Sequence, residues 1–120
     1  MSLHTKSAQL LRSDDDGLRI CVMRKPDLIV DWDIWMRTLS PSLELLQSYH
    51  ANKIDWDTFS QKFHEEVILG KPMHLKALVD LSKQQKVTIL CWEIDTERCH
   101  RRLLAEACKQ IDASISVFIE

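Results

Sequence analysis

Two glycines and three prolines are all the backbone punctuation that this 120-residue chain contains. So few breakers exclude collagen-like and low-complexity disordered classes, which are rich in both. Long apolar runs are missing as well: none reaches the eighteen or so residues of a membrane-spanning helix. The first 20 residues lack the apolar centre of an export signal. A cytoplasmic location with no membrane partner is therefore expected. Positive charge is not in excess either, with sixteen basic against eighteen acidic side chains and a formal charge of −2. A nucleic-acid partner would need a confined basic face, and any anion site must be a local cluster. A glycine-rich phosphate loop, a dinucleotide fingerprint and a GxSxG elbow are all absent.

What is present is a globular composition, 45% hydrophobic and 28% charged, in a length that suits one domain. The four cysteines, at 21, 91, 99 and 108, are expected to be free thiols in a chain with no export signal. Residues 1–17 are polar and without sustained period, which predicts a loose N-terminal arm ahead of a single domain over 18–120. Asp31 is placed to cap a short helix in which Trp32, Trp35, Met36 and Leu39 share an apolar face. Ser40 before Pro41 starts a second helix, running to about His50. Asp55 caps a third, whose stripe of Trp56, Phe59, Phe63 and Val67 ends at Gly70. Leu75, Leu78 and Val79 mark a fourth. With three of the four tryptophans on these stripes, core packing is their expected role.

Strands are predicted over about 18–23, 87–92 and 114–119, and a helix over about 97–111 carries His100, Leu103, Leu104, Ala107, Cys108 and Ile111 on one face. Strand, helix and strand with short links form a βαβ unit. The expected fold is α/β, a small and mostly parallel sheet flanked by helices in a Rossmann-like three-layer arrangement.

In such sheets ligands bind beyond the carboxyl ends of strands. Cys91 and Glu93 stand at a strand end, and Cys99 and His100 at the start of the next helix, so the four should be neighbours. Cys99 has a helix N-terminus and Arg98, Arg101 and Arg102 to favour a thiolate, opposed by Glu93, Asp95 and Glu97. Cys91 suits a small buried hydrophobe. His100 suits either a bond to a backbone carbonyl or an acid–base role, and Trp92 could stack on a planar ligand. The seven residues between Cys91 and Cys99 do not reproduce the usual zinc-knuckle spacing, so no metal is expected from spacing, and no cofactor is named by any motif.

The ordered motifs LSPSLELLQSY, IDWDTFSQKFHEEV and VTILCWEIDTERCHRRLLAEAC resemble the domain of unknown function 488 family of bacterial and archaeal proteins, over about residues 18–120. The family's Leu-Cys-x-Glu and Cys-His-Arg stretches fall on Leu90, Cys91, Glu93, Cys99, His100 and Arg101. Its arginine shortly before proline falls on Arg24 and Pro26, and its Pro-Ser on Pro41 and Ser42. Phe63-His64 departs from the pattern, where tyrosine is common. The resemblance implies a compact α/β domain and no particular activity. Two functions fit these residues. One is a small-molecule site for an anionic or nucleotide-type ligand, with Arg24 and Arg101 on the anion, Cys91 and Trp92 beside it, and Glu93, His100 and Cys99 as the reactive groups. The other is a noncatalytic interaction domain in which the same motifs tie strand to helix.

Overall fold

A computed structural model describes residues 1–27 and 29–120. Five strands form one sheet: β1 Ser2–Ser7, β2 Leu18–Cys21, β3 Ile34–Trp35, β4 Lys86–Cys91 and β5 Ser116–Phe118. Their order is β3-β2-β4-β1-β5, and every pairing is parallel. Four α-helices accompany them: α1 Leu43–His50, α2 Trp56–Phe63, α3 Pro72–Gln84 and α4 His100–Ile111. The radius of gyration, 13.4 Å, matches the value of about 13.6 Å for one folded domain of this length. No described helix is long and apolar enough to cross a membrane.

The N-terminal segment expected to be a loose arm is instead β1, an interior strand. It escapes detection because its buried positions, Leu3, Thr5 and Ser7, include two polar residues. Those hydroxyls are satisfied internally: Thr5 Oγ1 donates to the Glu120 carbonyl at 3.1 Å and Ser7 Oγ to the Trp92 carbonyl at 3.0 Å. β1 also changes the βαβ unit. β4 and β5 are parallel and joined by α4, as expected, but β1 lies between them and pairs with both.

The main core lies between the sheet and the helices, where Leu3, Ile20, Val87 and Ile89 meet Phe63, Leu78, Leu104 and Cys108. The opposite face is covered by irregular segments and a short 3-10 turn, Asp14–Asp16, over a smaller cluster of Ala8, Val30 and Leu90. The three layers are thus helices, sheet and loops.

Asp55 caps α2, accepting from the Thr58 amide at 2.8 Å, and the helix widens into a π turn over His64–Ile68 before Gly70. α1 starts later than expected, because Ser42 is its cap: Ser42 Oγ accepts from the Leu45 amide while Glu66 accepts from both the amide and the hydroxyl of Ser42. Ser40 bonds the Arg37 carbonyl instead. The helix predicted after Asp31 is not formed. Ile34–Trp35 pair with β2 as the edge strand, followed by a single 3-10 turn at Arg37–Leu39. Trp32 and Trp35 consequently keep 38% and 37% of their surface exposed rather than packing in the core, whereas Trp56 packs against it.

Candidate functional site

β2 and β4 are neighbours, and the chain leaves both at the same end of the sheet. A cavity of about 540 Å³ opens there. Its floor is Cys91, Glu93 and His100, and its rim carries Arg24, Lys25 and Arg37 with Asp27. Met23, Leu43 and Leu46 supply an apolar wall, and Trp92 adjoins them. A second cavity, of about 660 Å³, lies beside the loop Ala8–Arg12, on the other side of Trp92. It is lined mostly by loop residues and holds none of the cysteines or histidines.

The residues at the strand end form one hydrogen-bonded cluster. The thiols of Cys91 and Cys99 both donate to Glu93 Oε2, at 3.2 and 3.3 Å. His100 Nε2 lies 2.7 Å from the Val22 carbonyl. A carbonyl only accepts, so that nitrogen carries the proton, and Nδ1 faces Cys91 Sγ at 3.5 Å. Strand β4 delivers Cys91, the loop after it delivers Glu93, and the cap and first turn of α4 deliver Cys99 and His100, so the fold brings together the four residues the sequence singled out.

Position separates their roles. Cys91 and His100 line the cavity, whereas Cys99 and Arg101 stand behind its floor. Arg101 is fully buried. Its guanidinium donates to the Glu93 and Ile94 carbonyls at 2.6 and 3.2 Å and to Cys99 Sγ at 3.2 Å, clamping the loop onto the helix. It does not reach the cavity where a ligand would lie. Arg24 and Trp92 do line the cavity, and so do Lys25, Arg37 and His50, which sequence reasoning missed. Lys25 adjoins Arg24 in the strand-end loop and was open to the same argument. Arg37 and His50 lie outside any motif, and only the packing of α1 brings them in.

Electrostatics sharpen the picture. Burial acts to raise the Glu93 carboxyl, but the two thiol hydrogen bonds, its own backbone amide and nearby His100 bring it below its usual range. Cys91 at its side, together with burial, pushes the Cys99 thiol far up, although His100 opposes this. Of the influences the sequence sets against one another at Cys99, those opposing a thiolate prevail: the Cys91 sulfur and burial raise the thiol, and the helix N-terminus and arginines do not reverse this. Burial works against a charged His100, yet the Cys99 sulfur, the Val22 carbonyl and Glu93 hold it above its ordinary value. Burial raises Cys21 against a hydrogen bond from the Met23 backbone, and burial alone drives Cys108 up to about 12. All four cysteines are free.

The model of the family DUF488-N3a, described as the active DUF488-N3 subclade, matches residues 3–112. The chain belongs to this family. The DUF488-N3a match starts within β1 and takes in every strand but β5 and the whole strand-end cluster. Among curated proteins, the uncharacterized protein YeaO of Escherichia coli (strain K12) is 28% identical over 113 residues, covering 88% of this chain and 96% of YeaO. No solved structure matches the chain.

Proposed function

We propose that this DUF488-N3a protein binds a small anionic ligand with a planar or apolar body, of the nucleotide type, in the cavity at the ends of β2 and β4. The observation that carries the reading is the rim. Arg24, Lys25 and Arg37 converge on one cavity, and among the described residues none of them forms an ion pair. Arg37 is held over the Trp35 ring, with Cζ 5.8 Å from its centroid, which leaves the guanidinium edge to donate hydrogen bonds. Of the two acids that line the same cavity, Glu93 is already engaged by two thiols, so Asp27 alone opposes the three cations. The apolar wall and Trp92 suit the body of the ligand. Arg24 and Trp92 act on the ligand directly, Cys91, Glu93 and His100 form the polar floor beneath it, and Cys99 and Arg101 hold that floor in place. The description of the matched subclade as active fits a ligand that is also transformed there.

The test uses anilinonaphthalene sulfonate, which combines an anionic head with a planar apolar body. One molecule is expected to bind per folded chain, with fluorescence enhancement, and the double variant Arg24→Ala/Arg37→Ala is expected to weaken binding by about tenfold or more. That loss corresponds to about 1.4 kcal/mol, within the range of one charged hydrogen bond. Binding of equal strength by wild type and variant, or no saturable binding by wild type, defeats the reading.

A further inference from the structure

The strand-end cluster collects more metal-ligating chemistry than a ligand floor requires. Donor atoms of Cys91, Cys99 and His100 all lie within 4.8 Å of one another, and all three residues are buried. Glu93 Oε2 stands 3.2 and 3.3 Å from the two sulfurs, and His100 Nδ1 stands 3.5 Å from Cys91 Sγ. Four donors around a zinc ion, with sulfur at about 2.3 Å and nitrogen or oxygen at about 2.0 Å, sit roughly 3.3 to 3.8 Å apart on a tetrahedron. Three of the six edges, the two from Glu93 Oε2 to the sulfurs and the one from Cys91 Sγ to His100 Nδ1, are already close to those lengths, and the three donors Cys91, Cys99 and His100 lie within 4.8 Å of one another.

Its surroundings match as well. A metal-bound histidine normally donates its far nitrogen to a carbonyl or carboxylate, which fixes the ring and turns the other lone pair to the ion. His100 does this through Nε2 and the Val22 carbonyl, leaving Nδ1 toward the sulfurs. Arg101 places a buried positive charge against Cys99 Sγ, and among the described residues it has no carboxylate partner. Two thiolates and a carboxylate carry three negative charges, which a divalent ion and this guanidinium neutralise together. The seven-residue gap that argued against a knuckle does not apply here. A strand end and a helix start, not a turn, bring the sulfurs together.

We infer that Cys91, Cys99 and His100 bind a zinc-type divalent cation, with Glu93 as the fourth donor on the cavity side. On binding, each thiol releases its proton to solvent and gives a sulfur lone pair to the ion. The inference stands on the donor geometry and not on the anion-binding reading, so either can fail without the other.

The experiment titrates the full chain, reduced and freed of metal by a chelator, with cobalt(II) and then zinc(II). One cobalt per chain is expected, with the strong visible bands of a tetrahedral site and near-ultraviolet thiolate-to-cobalt bands, both displaced by zinc. Zinc should also protect two of the four thiols from a disulfide reagent. Cys91→Ser and Cys99→Ser should each weaken zinc binding by more than about a hundredfold, beyond the loss from removing a supporting partner. Cys21→Ala and Cys108→Ala should leave the cobalt spectrum unchanged. Absence of stoichiometric cobalt binding, a spectrum without thiolate bands, or zinc affinity retained in Cys91→Ser/Cys99→Ser overturns the inference. Because the spectrum is read on the wild-type chain, a variant that fails to fold does not blunt the test.

Discussion

Arg101 carries a guanidinium into the interior and spends it on two carbonyls and a sulfur, all belonging to the loop and helix start that build the site. Leaving those carbonyls without a donor in a dry environment costs about 1.5 to 3 kcal/mol for charged hydrogen bonds. Arg101→Ala should therefore lower the unfolding free energy by about 3 kcal/mol, read from the urea midpoint at unchanged slope. Arg101→Lys should recover less than half of this, since one ammonium cannot span three acceptors arranged for a planar fork. An unchanged midpoint would show that the clamp is dispensable. The motif was legible at this scale: Cys91, Glu93, Cys99, His100 and Arg101 stand out by residue type and by their place at a strand end. Their division into cavity floor and buried clamp was not, because it depends on which side of α4 faces the sheet.

Among the elements, the loop layer over the second face of the sheet is anchored at a buried carboxylate. Asp16 accepts from Lys6 and Arg19 and from the Ser13 amide, and its own carbonyl accepts from Thr88 Oγ1 at 2.6 Å. Burial acts against the charge on Asp16, but these hydrogen bonds and the Lys6 charge hold its carboxyl below the ordinary 3.8. A group with a depressed folded pKa stabilises fully above its unfolded value and loses that contribution as pH falls toward the folded one. The Asp16 contribution should thus be intact at pH 5 to 7 and fade below about 4. Asp16→Asn should destabilise the protein by about 3 kcal/mol at neutral pH, leaving Arg19 buried without its carboxylate, and should flatten the acid limb of a stability–pH curve. A limb of wild-type steepness in that variant would contradict the assignment. Gly17 follows at φ 66°, and a Cβ there would stand 2.4 Å from the Lys86 carbonyl oxygen. Gly17→Ala should accordingly cost about 2 kcal/mol in thermal or urea unfolding. None of this second face was legible in advance, since DDDG reads as a solvated turn until Arg19 is seen to point beneath it.

At the scale of the molecule, the fold hangs on its first seven residues. β1 fills the gap between β4 and β5, so a chain beginning at residue 18 would leave two interior strand edges unpaired. That truncation should be unfolded by far-ultraviolet circular dichroism, whereas a free arm could be removed without effect. The α/β class, the parallel strands around α4, the capped helix α2 and the strand-end location of the cluster could all be read from periodicity and punctuation. β1 could not, because Thr5 and Ser7 are buried by hydrogen bonds to distant backbone and not by hydrophobicity; nor could β3, two residues long, whose exposed Trp35 mimicked a helix stripe. The same long-range assembly creates the cavity, joining the loop after β2, the start of α1 and the end of β4. The most direct measurement on that cavity is an amide nuclear magnetic resonance titration of the isotope-labelled chain with anilinonaphthalene sulfonate. Anion binding at the strand ends predicts saturable shifts confined to residues around Met23–Asp27, Arg37–His50, Cys91–Glu93 and His100. Shifts gathered instead on Ala8–Arg12 and Ile29, at the larger second cavity, or no saturable shifts at all, would contradict it.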